Sequence, residues 1–116
     1  MKKGLITLRL WVDDIREPPA GWKWAKSVDE ALIWLCQRAQ FKNKGCVIDI
    51  EVISLDHDAG DCYSMGGDYI NILNWLEEKS EEWNIVKMPK FNLHSKNAVG
   101  VQNMRAIIEH NGWVEV

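Results

Sequence analysis

Two carboxylates flank a histidine near the middle of the chain, in the segment Asp56-His57-Asp58. An imidazole takes up and releases protons near neutral pH, so His57 is a candidate general acid or base. A carboxylate, either Asp58 or Asp14, can orient an imidazole by accepting its other N–H. Asp and Gly are also common where a strand turns, and turn chemistry alone is the alternative interpretation.

Two other polar clusters, Asp13-Asp14 and His94-Ser95, also follow apolar runs. Mg²⁺ and Mn²⁺ prefer carboxylate oxygens, so Asp13, Asp14 and Asp56 are the predicted metal ligands. Carboxylates that share a site repel one another, and the histidines as imidazolium ions are the alternative source of positive charge. No organic cofactor is expected.

Each polar cluster comes at the end of a predicted strand. Apolar-rich runs predict strands over residues 5–12, 47–55 and 91–93, with a short edge strand at 22–26 and a final strand at 113–116. Open α/β sheets bind ligands outside the carboxyl ends of their strands. The three clusters are therefore expected at the mouth of one site.

Three helices are predicted between these strands from their capping residues. Ser27, followed by Glu30 in a capping box, opens the first helix; Asp68 and Asn97 are the predicted N-caps of the second and third. Asn111-Gly112 is expected to close the third helix with a left-handed residue. Segments 41–45 and 79–90 are predicted to be connections, the latter including a solvated helix end.

Strands that alternate with helices predict the α/β class, and residues 1–116 are expected to form a single receiver-like domain. The economical arrangement is one doubly wound parallel sheet of about five strands in the order 2-1-3-4-5. In that order the three strands that end in polar clusters are direct neighbours. A functional site explains this convergence better than three independent turns do.

Composition narrows the class of partner. A formal net charge of -3 gives no extended nucleic-acid surface, although it is compatible with a small phosphate-bearing ligand. The three cysteines are odd in number and lack C-x-x-C spacing, and the sequence shows no membrane span or signal peptide, so a reducing cytoplasm is expected. The oligomeric state is left open.

Four motifs together resemble one known family. They are Leu10-x-x-Asp13-Asp14-x-Arg16, Ser54-Leu55-Asp56-His57-Asp58-x-Gly60, Gly67-x-Tyr69, and His94-Ser95-x-Asn97-x-x-Gly100. In this order, and over nearly the whole chain, they resemble the cyclic-phosphate-processing receiver-like family. The resemblance implies a receiver fold that acts on, or recognises, cyclic phosphates on nucleotides or RNA ends. The last strand lacks the lysine of true receivers, which argues against phosphotransfer to Asp56.

The predicted function is therefore a phosphoesterase that opens a cyclic phosphate. His57 and His94 are the expected acid and base, with Asp56 and Asp58 beside them, and opposite protonation of the two rings predicts a bell-shaped pH profile with pKa values raised by the carboxylates. The expected phosphate-binding groups are the amides at the start of the last helix together with Arg16, Ser95 and Asn97. The alternative is a non-catalytic module that binds or sequesters a cyclic nucleotide or phosphorylated ligand.

Overall fold

A computed structural model describes residues 8–116, and residues 5–7 of the first predicted strand lie outside this range. The strands are β1 (Arg9–Val12), β2 (Lys23–Ala25), β3 (Ala39–Lys42), β4 (Gly45–Ile48), β5 (Val52–Leu55), β6 (Ile85–Lys87) and β7 (Lys90–Leu93). The helices are α1 (Val28–Arg38), α2 (Ile70–Glu82) and α3 (Ala98–His110), with a short 3₁₀ turn at Gly60–Cys62.

The main sheet contains four parallel strands in the order β2-β1-β5-β7. This confirms the α/β class with a parallel sheet, and these four strands follow the predicted order. The predicted fifth strand does not form: its place beside β7 holds one isolated bridge between Phe91 and Glu115. Trp113 N still donates to Ile108 O at the end of α3, so pairing with β7 begins only after this residue.

A second, three-stranded sheet was not predicted. It has the order β3-β4-β6, with β4 antiparallel to β3 and parallel to β6. The predicted strand over 47–55 is thus two strands in different sheets, separated by a turn in which Asp49 N donates to Arg38 O and the two side chains form an ion pair of 2.7 Å. Segments 41–45 and 79–90, predicted as connections, contribute to this sheet.

Local capping explains where the helices begin and end. Ser27 caps α1 by accepting from Glu30 N, and Asn97 caps α3 by accepting from Gly100 N at 2.9 Å, both as predicted. The prediction for α2 was wrong, because Tyr69 holds the N-cap position and the Asp68 carboxylate accepts from a loop amide instead. Gly112 follows α3 with φ of +70°, the left-handed conformation expected there.

The main core lies on one face of the parallel sheet. Leu10, Val12, Ile53, Leu55 and Phe91 alternate along the strands and are fully buried with the apolar faces of the helices. Burying them stabilises the sheet by roughly 1.5–3 kcal/mol for each side chain. This packing fixes the strands in register, so their carboxyl ends meet along one edge. Within residues 8–116, none of the helices has the length and apolar character needed to cross a lipid bilayer.

Candidate active site at the carboxyl edge of the parallel sheet

Backbone hydrogen bonds continue one residue beyond each of the central strands. Asp13 N donates to Ala25 O, Asp56 N to Val12 O, and His94 N to Leu55 O. Because these bonds extend the parallel ladder, the first residues after β1, β5 and β7 stand side by side. The three polar clusters predicted to converge do converge at this edge.

Asp13 is a buried carboxylate, 1% exposed, with hydrogen bonds to both oxygens. Its Oδ1 accepts the amides of Ile15 and Arg16 at 2.9 Å, and its Oδ2 contacts His94 Nε2 at 3.0 Å and Arg16 Nη1 at 3.4 Å. Burial tends to raise the pKa of Asp13, but these donors outweigh it and lower that pKa below its usual value. Asp13 is ionised and has little capacity left for a further ligand.

His94 is held at both ring nitrogens. Asn92 Nδ2 donates to Ser54 Oγ at 2.8 Å, so the buried Ser54 hydroxyl directs its own hydrogen to His94 Nδ1 at 2.7 Å. The neutral ring then carries its proton on Nε2 and donates it to Asp13. Burial lowers the pKa of His94, opposite to the predicted direction, because desolvation outweighs the attraction of the carboxylates. The ring also stacks on Trp11, with centroids 3.9 Å apart.

Sequence reasoning assigned no role to Ser54, Asn92 or Trp11. A signal existed: Ser54 and Asn92 are polar residues inside otherwise apolar strands. The register places them opposite each other and places Trp11 opposite Ser54, all on one face of the sheet. A polar pair on neighbouring central strands requires mutual hydrogen bonds, and here it also fixes the histidine above it.

His57 has a different environment. Its Nδ1 lies 2.7 Å from Asp58 Oδ1, and Asn97 Nδ2 donates to the same oxygen at 3.1 Å. The hydrogen bond from His57 lowers the pKa of Asp58. Since the ionised carboxylate only accepts, Nδ1 carries the proton and Nε2 is the basic nitrogen. Across residues 8–116 no hydrogen-bond partner of Nε2 is found, and the ring rests against Gly100 in the first turn of α3.

An acidic pocket lies beside His57. Ligand oxygens of Asp13, Asp14 and Asp56 lie within 4.8 Å of one another, and such a group could hold a metal ion. Asp56 Oδ1 accepts from His57 N at 2.8 Å, which ties the pocket to the histidine. Burial, with the charges of Asp13, Asp56 and Asp61, raises the pKa of Asp14. Asp14 and Asp56 therefore have the free acceptor capacity that a hard cation needs, whereas Asp13 does not.

Two further features concern metal ligands. A Cβ on Gly60 would overlap the Asp14 carboxylate, so the glycine, at φ of +54°, makes room for that side chain. A second group with metal-ligand spacing joins His57, Asp58 and Asp68 on the other side of the histidine. In this second group His57 Nδ1 and Asp58 Oδ1 are already hydrogen-bonded to each other, so these two atoms are not free to bind a metal ion.

The predicted phosphate-binding residues occupy the rim of the same edge. Arg16 Nη1 contacts Asp13 Oδ2 and donates to the His94 carbonyl at 3.3 Å, while its side chain stays 41% exposed. Ser95 Oγ accepts from Asn97 N at 3.0 Å, and Asn97 caps α3. Ser95 and Asn97 thus shape the turn that leads into the helix N-terminus.

A comparison with protein-family models identifies the chain. The model of the cyclic-phosphate processing receiver domain matches residues 8–110, and the chain belongs to this family. Comparisons with curated proteins and with solved structures gave no significant match. Membership in this family agrees with the parallel sheet and with the acidic edge that carries both histidines.

Asp14→Asn should make the protein more stable at pH 7, by about 0.5–1 kcal/mol in free energy of unfolding, because it removes one of several mutually repelling carboxylates. The raised pKa of Asp14 sets the sign: the penalty is present above the folded-state pKa and disappears as pH falls below the ordinary value of 3.8. Urea unfolding at pH 7 and at a pH below 3.8 measures both limits. Glu78→Gln, on the exposed side of α2, is the matched control; an equal gain there would contradict the local explanation.

Gly100→Ala should impair the site while the fold persists. The added Cβ would overlap Cγ and Cδ2 of His57, and because it is fixed to the helix backbone the ring must move. The NMR signals of the His57 ring should therefore shift while circular dichroism stays unchanged. Asn103→Ala, at an exposed position of the same helix, controls for helix propensity; equal shifts of the His57 signals in both variants would refute the contact argument.

Proposed function

We propose that this chain is a phosphoesterase that opens a cyclic phosphate on a nucleotide or at an RNA end. The observation that supports this most strongly is the Asp58–His57 pair, whose Nε2 is left without a partner in the described structure beside an acidic pocket and the start of α3. A histidine oriented by a carboxylate at one nitrogen and open at the other is suited to general acid–base catalysis.

The proposed reaction is hydrolysis. A water molecule attacks phosphorus, His57 Nε2 takes a proton from that water, and one ester P–O bond of the ring breaks. The proton then passes from the imidazolium to the departing sugar oxygen, so the net change is addition of one water. Asp58 stabilises the imidazolium and keeps the ring aligned, and the base contributes about 10²–10⁴-fold in rate.

His94 has a different part in this proposal from the one predicted from sequence. Both of its nitrogens are bonded within the protein, to Ser54 and Asp13, so it is assigned as a positioning residue rather than a proton carrier. The ring hydrogen-bonds to Asp13, and Asp13 accepts hydrogen bonds from the backbone amides of Ile15 and Arg16 at the rim. The bell-shaped pH profile predicted for two catalytic histidines is therefore not part of this proposal.

Phosphate oxygens would be bound at the start of α3. A helix N-terminus offers amide hydrogens and a partial positive charge to an anion. Asn97 accepts from one of these amides, which sets the turn. Arg16, which is partly exposed at the same edge, would supply a full positive charge to the phosphate.

A divalent ion fits the acidic pocket. Asp14 and Asp56 would hold Mg²⁺ or Mn²⁺, hard cations that bind carboxylates and keep several waters. When bound, such an ion supplies positive charge that offsets the repulsion between these carboxylates and an anionic substrate. Stabilisation of the wild type by millimolar Mg²⁺, and its loss in Asp14→Asn, is the corresponding test in thermal unfolding.

The main test separates hydrolysis from binding. Stoichiometric amounts of protein are incubated with 3′,5′-cyclic and 2′,3′-cyclic nucleotides, and the protein is separated from free nucleotide by gel filtration and then heated. Mass spectrometry identifies the nucleotide in the free fraction and the nucleotide released from the protein. A gain of one water is the expected result. Recovery of intact ligand in stoichiometric amount would favour the non-catalytic binding module, and recovery of no nucleotide with the protein and no conversion would exclude both.

A further inference from the structure

Within residues 8–116, one face of the parallel sheet has no helix packed on it. The registers place Arg9, Val52 and Lys90 in one row across this face, and Trp11, Ser54 and Asn92 in the next row. The buried residues of the three helices join the core cluster on the opposite face instead. Within residues 8–116, the uncovered face contains a groove of about 350 Å³. We call this the open-face groove; it is lined by Arg9, Trp22, Glu51, Val52, Lys90, Asn92 and Val116.

One residue that lines the open-face groove is linked to the carboxyl edge by hydrogen bonds. Asn92, at its near end, donates to Ser54, which contacts His94 at the carboxyl edge. The far end, marked by Lys90, lies four residues below His94 along the same strand, or roughly 13 Å at ~3.3 Å per residue. A chain that crosses the edge near His94 and follows this face would reach Lys90 at that distance.

The chemistry of the groove suits a nucleotide. Trp22 offers an indole ring, and its edge-to-face contact with Trp11 at 5.9 Å fixes its position. Val52 supplies an apolar floor, and Asn92 retains its side-chain oxygen as an acceptor because its nitrogen serves Ser54. Aromatic rings on an exposed sheet face are a common platform on which single-stranded bases stack.

Two cations stand at the far end. Lys90 is exposed, with no ion-pair partner within residues 8–116, and Arg9 lies over the Trp22 ring at 5.9 Å while paired with Glu51 at 3.1 Å. Positive charge at this distance from the edge is placed for a second phosphate. A cyclic mononucleotide has no second phosphate, whereas an RNA chain has a phosphate at every link between nucleotides.

We propose that the open-face groove binds the nucleotides that precede a terminal cyclic phosphate, so that the substrate is the end of a single-stranded RNA rather than a cyclic mononucleotide. This inference rests on the phosphoesterase function proposed above. It requires only a local groove for one or two nucleotides, which is compatible with a net charge of -3.

The test compares two substrates with the same terminal base: a trinucleotide ending in a 2′,3′-cyclic phosphate and the corresponding cyclic mononucleotide. Wild-type kcat/KM should favour the trinucleotide by about tenfold or more, since one stacked base contributes about that factor. In Lys90→Ala and Trp22→Leu the ratio should fall toward one. Trp22→Phe, which keeps a ring, should restore most of it, and Lys42→Ala, an exposed lysine on the other sheet, should leave it unchanged.

Failure of this inference can be told from failure of the proposed function. Equal hydrolysis of both substrates, or an unchanged ratio in Lys90→Ala, would overturn the groove and leave the phosphoesterase intact. If neither substrate is hydrolysed, quenching of tryptophan fluorescence by a plain RNA trinucleotide in wild type but not in Lys90→Ala would support the groove alone. A wild-type dimer that becomes monomeric in Lys90→Glu would assign the face to a second copy and overturn the proposal.

Discussion

Replacing His57 with glutamine should lower kcat/KM for a 2′,3′-cyclic phosphate about 10²–10⁴-fold, the usual contribution of a general acid–base group. Glutamine keeps a hydrogen-bonding side chain of comparable length but cannot carry the proton. The contact with Asp58 is confined to one ring nitrogen, so the fold should tolerate the change. Initial rates with purified wild type and variant, at equal metal concentration, measure the loss.

Two variants sharpen this experiment. His110→Gln changes an exposed histidine at the end of α3 and should leave the rate unchanged. Asp58→Asn should produce a smaller loss than His57→Gln, because it weakens the orientation of the ring without removing it. If the His57→Gln variant turns over like wild type, His57 does not transfer the proton. His94 would then be the candidate general acid or base.

Asp13→Ala should cost about 3 kcal/mol in free energy of unfolding at pH 7. The substitution removes a buried charge and leaves His94 Nε2, Arg16 Nη1 and two amides without their acceptor. Urea denaturation of both proteins gives the difference. Asp49→Ala is the matched comparison, since Asp49 pairs with Arg38 at the surface and its side chain is 49% exposed. That variant should lose less than about 1 kcal/mol.

The pH dependence of this difference has a defined sign. The pKa of Asp13 is lowered on folding from 3.8, so its stabilising contribution is fully present above that value and is lost as pH falls through the folded-state pKa. The gap between wild type and Asp13→Ala should shrink in acid below pH 3.8, where the Asp13 contribution is lost. A gap of under 1 kcal/mol at pH 7, or one that does not shrink below pH 3.8, would contradict the assignment of Asp13 as a buried carboxylate that accepts several hydrogen bonds.

Sequence periodicity was sufficient for the parallel sheet and for its polar edge. Strands ending at Val12, Leu55 and Leu93 were recognisable because each apolar run stops at charged or polar residues. Ser27 and Asn97 marked helix starts because their side chains satisfy amides that nothing else satisfies. These signals depend on residues close in sequence, and the structure confirms these strand ends and helix starts.

The second sheet escaped prediction because its cause is not local. The run from Val47 to Leu55 looks continuous, but at the turn between the two strands Asp49 contacts Arg38, eleven residues away, and Glu51 N donates to Leu8 O. Asp68 resembled a helix cap for the same reason, since its actual partner, the Ala59 amide, is distant in sequence. Pairings across the fold decide these cases, and no pattern within one segment records them.

The same distinction between local and long-range causes applies to the candidate site. Convergence of the clusters followed from the strand order, but the different states of the two histidines did not. Whether a ring nitrogen is free depends on Ser54 below His94 and on Asp58 beside His57. The sequence therefore predicted where the polar clusters meet, and the structure distinguishes His94, which is hydrogen-bonded at both ring nitrogens, from His57, for which residues 8–116 supply a partner at Nδ1 alone.

The central claim is that this acidic edge hydrolyses a cyclic phosphate through His57. Phosphorus NMR tests it most directly, since the signal of a strained five-membered cyclic phosphate is well separated from that of the phosphomonoester it yields. Wild-type protein with Mg²⁺ and an RNA trinucleotide ending in a 2′,3′-cyclic phosphate should convert the first signal into the second, with no conversion on the same timescale by His57→Gln. A cyclic signal that persists with the wild type, or that disappears equally fast with the variant, would contradict the account.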